Sequence, residues 1–337
     1  MTLSDVFNNN KDIIINSDLD GFLSGMILQE YYECNIVGFS NSEDKVWVDD
    51  SVKSIYDPVY IDMYVSRSDV VCIENHVIAA DKADIPAKRR LMAYFMKTTG
   101  VQSKDQSKIN PNLYNVSREA TFYEDYAKKY PFGTVHYLIA LMEKDGIKVN
   151  LGRLNKTEKI TKGVRTYTSC PGQIVLRADD ALYSSLGPYK GNCKEWWDWL
   201  KGFGSSTITE LCDFIGTLNP SKNSNYKMKV EEFLKDGLGS DDVDGGFFDV
   251  VDSGGNILNS VSEFINELSR IMGIGLVVPR RMHLHKGNIH RELFRNNPTH
   301  RARLNRILSN PELFSYSFVF GPNTRRSINF SYTTNMI

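Results

Sequence analysis

The chain has 337 residues, 41% of them hydrophobic and 24% charged, enough for two ordinary domains with a sizeable core. Its formal net charge of −1 excludes a generic polyanion binder, so any attraction for phosphate must be local. Five widely spaced cysteines without a CxxC pair (Cys34, Cys72, Cys170, Cys193, Cys212) argue against a zinc ribbon or a disulfide framework.

Taken in order, the N-terminal segment MTLSDVFNNNKD lacks the basic and apolar blocks of a signal peptide. With reduced thiols and no run of roughly 18 apolar residues, a cytoplasmic protein with no membrane partner is expected. Ile13–Ile15 reads as a buried strand and Gly21–Glu33 as a helix with apolar residues at helical spacing. Residues 36–39, 45–48, 59–61 and 70–73 read as further strands. Arg118–Lys129 and Thr134–Lys144 have helical periodicity, broken by Pro131-Phe132-Gly133. Gln173–Leu176 reads as a strand leading into Asp179-Asp180. Helices are predicted around Trp196–Leu200, over Thr207–Leu218, over Lys227–Lys235 and over Val261–Met272, with a loop from Ser240 to Gly255. Phe314–Phe320 and Ser327–Tyr332 form a hairpin pattern. The alternation predicts an α/β fold: a mainly parallel sheet flanked by helices, then a smaller α+β C-terminal region. A boundary near residue 220 divides 1–220 from 221–337.

Ligand sites in parallel sheets sit at the carboxyl ends of strands, and the acidic residues fall there. Asp18-Leu19-Asp20-Gly21 closes the first strand and opens a helix. Asp62 ends a later strand, Glu74-Asn75-His76 another, and Asp179 follows a third. Hard carboxylate oxygens from these places suit Mg²⁺ or Mn²⁺.

The run IIINSDLDGFLSGMIL (13–28) resembles the first motif of the DHH phosphoesterase superfamily, which includes RecJ-type exonucleases and oligoribonucleases. Tyr60-Ile61-Asp62 resembles its second motif, and Leu176–Asp180 its fourth. Glu74-Asn75-His76 stands where the family has Asp-His-His, and Asn16 where relatives often carry His or Asp. The Gly-Gly-His motif of the usual C-terminal substrate domain is not found. The resemblance implies a DHH-like N-terminal domain in which Asp18, Asp20, Asp62 and Asp179 hold Mn²⁺ or Mg²⁺. Asn16, Glu74, Asn75 and Asp180 are accessory positions. It further implies hydrolysis of a nucleotide or short single-stranded oligonucleotide phosphoester by metal-activated water, with Asp62 and His76 in the catalytic roles. Asn16 and Asn75 are poorer ligands than the family's residues and support an alternative, a catalytically impaired binder of nucleotide or nucleic acid.

Plainer readings exist for each residue. Asp62 and Asp179-Asp180 are also good helix N-caps, DxDG is a common turn, and His76 suits a satisfied strand-end histidine. A haloacid-dehalogenase-type phosphatase also begins with a strand and DxDG, with Asp18 as nucleophile; Phe22 stands where that family has Thr, and no lysine at a matching junction is evident.

Arg280 to Arg306 concentrates eight cations and four histidines against one acid, Glu292. Arg280, Arg281, Arg291 and Arg295 are the expected phosphate-gripping residues, against a plainer reading as a solvated helix face. His283 and His285 fall on one side of a strand, but no nearby cysteine or acidic trio completes a zinc site.

Overall fold

The computed structural model describes residues 2–67, 69–76, 108–113, 129–151, 157–161, 164–168, 171–186, 190–217, 246–295, 298–320 and 327–337. Helix α1 (Leu3–Asn9) precedes β1 (Asp12–Asn16), α2 (Leu19–Tyr32), β2 (Asn35–Ser40), β3 (Lys45–Val48), β4 (Val59–Ile61), β5 (Cys72–Ile73) and β6 (Lys108–Ile109). Next come α3 (Thr134–Lys144), the hairpin β7 (Thr157–Thr161) and β8 (Val164–Thr168), α4 (Pro171–Arg177), α5 (Ala181–Leu186), α6 (Lys190–Lys201) and α7 (Ser206–Thr217). The remaining elements are α8 (Asn259–Met272), β9 (His283–Lys286), β10 (Asn288–Arg295), α9 (Pro298–Leu308), β11 (Leu313–Phe320) and β12 (Ser327–Thr334).

The fold is α/β. Seven strands form one sheet in the order β6-β5-β4-β1-β2-β3-β9. The first five of that row are parallel, and β3 and β9 add an antiparallel edge. Counting only the parallel strands in chain order, the row reads 2-1-3-4-5, a doubly wound order. Its switch point lies between β1 and β4, because the chain moves from β1 first to one side and later to the other. A separate antiparallel sheet has the order β10-β12-β11. Strand β9, from the 221–337 segment, therefore lies in the large sheet.

Sequence pattern explains the layers. Ile13, Ile14 and Ile15 are all fully buried because β1 is central, paired on both sides and covered on both faces. Each such burial contributes about 2 kcal/mol. Ile13 and Ile15 join a large core with α1, α2, α3 and α8, whereas Ile14 faces a second, smaller core. Among the described residues, that second core is closed by Ile55, Met63, Val65 and Phe314 of β11, not by a helix. Helix α2 is buried from Leu19 to Leu28, which accounts for its weak amphipathic pattern.

Two expectations are corrected. Residues 173–176 belong to helix α4, not to a strand. Four apolar or amide residues in a row fit either period; Pro171 at the first helical position and burial from Gly172 through Arg177 decide for a helix. The strand expected over 70–73 shrinks to Cys72–Ile73, since the Val70 N–H turns back to the Arg67 carbonyl at 3.3 Å. The helices read over 118–129 and 227–235 lie outside the described residues, save for Lys129, which stands in a bend. Among the described residues, Cys34, Cys72, Cys193 and Cys212 are free thiols, and no helix is long and apolar enough to cross a membrane.

Candidate functional site

Strand β1 passes into α2 through a tight turn. Asp18 is extended (φ −115°, ψ 179°) and caps α2 by accepting the Gly21 N–H at 2.9 Å. Glycine is required at 21: a Cβ there would lie 2.2 Å from the Asn16 carbonyl oxygen. Asp20 is buried, and its two oxygens accept the N–H groups of Thr134 (2.6 Å) and Val135 (2.9 Å). Helix α3 has Gly133 at its N-cap and no capping side chain of its own. An anion from α2 thus fills the role at the positive end of the α3 dipole.

Asp62 follows β4, directly beside β1, in a left-handed conformation (φ 60°) that non-glycine residues seldom adopt. Its Oδ1 accepts from Thr134 Oγ1 at 2.8 Å and its Oδ2 from the Asn16 amide at 3.3 Å. The same Asn16 amide donates to Asp18 Oδ2 at 2.5 Å. Asn16 therefore ties Asp18 to Asp62, and Thr134 ties Asp20 to Asp62. Asp179 also has a left-handed backbone (φ 50°), in the one-turn kink after α4. Its Oδ2 accepts the Asn75 amide at 3.1 Å.

The Asn75 amide also donates to the Phe132 carbonyl. Two acceptors on one side fix the amide orientation and leave Asn75 Oδ1 buried without a hydrogen-bond partner. Glu74 is buried and accepts from the Asn110 amide and the His76 N–H. His76 Nδ1 stands 3.8 Å from Asp62 Oδ1 and 3.9 Å from Glu74 Oε2. The side chain of Asp180 lies outside the described residues.

Burial, and then the charge of Asp179, pushes the Asp18 carboxyl up to about 7. Asp20 and Asp62 are raised well above the carboxylate range, by burial first and by their neighbours' charges second. Burial lowers His76 to about 4 and also depresses Lys129, whose charge is felt by Asp179, Glu74 and Asp62. The acids crowd into one low-dielectric corner and resist ionising together.

A cleft of about 420 Å³ opens onto this corner, lined by Asn16, Asp18, His76, Glu43, Phe248 and Arg291 among others. Residues from 246 onward form its far wall. Phe247 N–H donates to the Ser17 carbonyl at 2.8 Å, and Ser17 Oγ returns a bond to the Phe247 carbonyl at 2.7 Å. Gly246 (φ 77°) fits against Asp18, where a Cβ would lie 2.9 Å from the Asp18 Cβ.

No family model, curated protein or solved structure matches this chain. The geometry alone therefore bears on function.

Of the expected residues, Asn16, Asp18, Asp20, Asp62, Asn75, His76 and Asp179 come together, although Asp179 follows a helix and not a strand. Of the four expected arginines, Arg291 reaches the cleft, where it forms a two-oxygen pair with Glu43 at 2.7 and 2.8 Å. Arg281 lines a different cavity. Arg280 is exposed and does not line this cleft, and the side chain of Arg295 lies outside the described residues. Topology gives the reason: Arg280 and Arg281 precede β9 of the large sheet, whereas Arg291 stands on β10 of the separate antiparallel sheet.

The fit to a metal is mixed. The donors are hard oxygens with excess negative charge. Yet among the described residues no group of three or more His, Cys, Asp or Glu side chains is disposed to hold an ion. Protein donors engage the oxygens of Asp18, Asp20 and Asp62. Sequence reading missed Thr134, Gly133, Glu43 and Phe248. The first two carried a signal: a breaker, Pro-Phe-Gly, that opens a helix without a capping side chain calls for an anion from elsewhere.

Proposed function

We propose that the cleft hydrolyses a phosphoester of a nucleotide or short single-stranded oligonucleotide with Mn²⁺ or Mg²⁺, in the manner of a DHH phosphoesterase. The supporting observation is the pairing of Asp18 with Asp62 through Asn16, across two adjacent parallel strand ends at the switch point of the sheet. Asp18, Asp20, Asp62 and Asp179 would hold the ion, and the unpartnered Oδ1 of Asn75 is a further neutral oxygen in the same corner. Such an ion supplies charge neutralisation and a water of lowered pKa.

The remaining roles fall to the chain itself. The Arg291 guanidinium, which meets both Glu43 oxygens through its single Nη2 nitrogen, has further N–H groups to offer phosphate oxygens at the mouth. His76 offers a ring N–H beside Asp62. Phe248 is 63% exposed at the rim, with the Lys45 ammonium 4.0 Å from its ring centre, and gives a base a flat apolar face.

The test is release of nucleoside monophosphate or phosphate from a phosphoester panel with Mn²⁺ or Mg²⁺, comparing the native chain with Asp62→Asn. Metal-dependent turnover lost in the variant supports the reading. A second reading, a non-catalytic binder, is favoured by the neutral Asn16 and Asn75 and by the engaged carboxylate oxygens. Ligand binding without turnover across the panel would select it. A trapped phosphoaspartate at Asp18 would select the dehalogenase route instead.

A further inference from the structure

A second polar cluster lies on β9, at the antiparallel edge of the large sheet. The register Val46↔His285 and Val48↔His283 puts both histidines on one face of the strand. Their rings meet with Nε2 to Nε2 at 3.0 Å and centroids 4.9 Å apart. His283 Nδ1 lies 3.3 Å from Asp50 Oδ1. An ionised carboxylate only accepts, so this contact places the His283 N–H on Nδ1 and leaves a lone pair on Nε2.

A neutral imidazole carries one N–H. With the His283 proton turned to Asp50, its Nε2 lone pair faces His285 Nε2 at 3.0 Å, and either the His285 proton or a metal ion fills the space between them. The spacing suits a shared ion. Two nitrogens each about 2.0–2.1 Å from one metal lie roughly 2.9–3.4 Å apart at right or tetrahedral angles.

We infer that His283 and His285 chelate one late first-row divalent ion (Zn²⁺, Ni²⁺ or Cu²⁺) through their Nε2 atoms, with Asp50 orienting His283 from behind. Imidazole donors select these ions over the Mg²⁺ or Mn²⁺ that carboxylates prefer. The carboxylate behind the histidine fixes ring and tautomer, as outer partners of metal-bound histidines do. Among the described residues no third His, Cys, Asp or Glu joins the pair in holding an ion, so the site is a two-nitrogen chelate. Its other positions are left to water or to a small ligand. The inference is independent of the proposed phosphoesterase activity.

The test is titration of the full chain with Cu²⁺ alone, read by calorimetry and by electron paramagnetic resonance. One equivalent should bind with hyperfine splitting from two nitrogens. His283→Ala and His285→Ala should each weaken binding more than tenfold and remove the two-nitrogen pattern. Asp50→Asn should weaken it roughly tenfold and keep both nitrogens. Asp62→Asn should leave this signal in place, which separates it from any ion in the acidic cleft. All three β9-site positions are at least partly exposed, and equal melting temperatures will show that the variants fold. Binding without nitrogen splitting, or equal binding in the double histidine variant, overturns the inference; so does absence of binding, which would leave a shared proton as the joining cation.

Discussion

The acidic corner and the basic segment behave in opposite ways. Asp18, Asp62 and Asp179 are separated by long stretches of chain, yet hydrogen bonds through Asn16 and Asn75 gather them at one strand-end corner. Arg280, Arg281 and Arg291 are near neighbours in sequence, yet only Arg291 of the three lines the cleft. The cations of the segment are also answered locally: Arg291 pairs with Glu43, and Arg303 with Glu292 at 2.7 Å. Charge density along a chain is thus a poor guide to charge density in space. Parallel strand ends focus distant residues, whereas a segment that passes from one sheet to another spreads residues close in sequence.

The sharpest way to break this contrast is Asp62→Asn. Asparagine tolerates the left-handed backbone and removes one charge. Turnover on the phosphoester panel should fall roughly a hundredfold or more. In chelator the same variant exchanges a crowded buried acid for an amide whose NH2 meets one of the donors now on Asp62, so stability should stay within about 1 kcal/mol of native; urea melts check this. Unchanged turnover together with lower stability would make the corner a structural polar cluster.

Gly21→Ala tests whether the turn holds the corner together. The new Cβ cannot fit 2.2 Å from the Asn16 oxygen, and a loss of about 3 kcal/mol is expected in chemical denaturation. Arg291→Ala against Arg280→Ala tests the other side of the contrast. The first should raise KM about tenfold with stability within about 0.5 kcal/mol of native, and the second should do neither. Equal effects would mean that the basic segment acts as one surface.

The smallest effect concerns a well-partnered acid. Burial pushes the Glu143 carboxyl up, but bonds from Ser205 and Thr207 outweigh it and hold the group below the usual range. Those bonds measure 2.6 Å from Ser205 Oγ and 2.6 Å from Thr207 Oγ1. A depressed pKa stabilises the fold above the unfolded-state value, and that stability is lost as pH falls through the folded value. Glu143→Gln should therefore be less stable than the native chain near neutral pH, with the gap closing in acid melts below about pH 4.

Strongly patterned elements were legible in the sequence: β1 by its unbroken isoleucines, α2 and α3 by length and spacing, and the β11–β12 pairing by its alternation. The four-residue run 173–176 was not, because so short a stretch carries no period that separates helix from strand. Within the site, Asp18, Asp20 and Asp62 could be named from strand-end position, whereas Asp179 was named for a strand end and in fact follows helix α4. Their partners were legible only in part: the breaker before Thr134 marked a helix without its own cap, whereas Glu43, which pairs with Arg291, becomes informative only when the β2–β3 turn is set beside the cleft.

The clasp between Ser17 and Phe247 joins residues 230 positions apart. Loops of that size close at a high entropic cost and tend to form after local structure. During synthesis, the turn at Asp18 would emerge long before the wall that covers it. Separate production of residues 1–220 would leave that turn facing solvent, so the cleft can be assembled only by a chain that carries both parts.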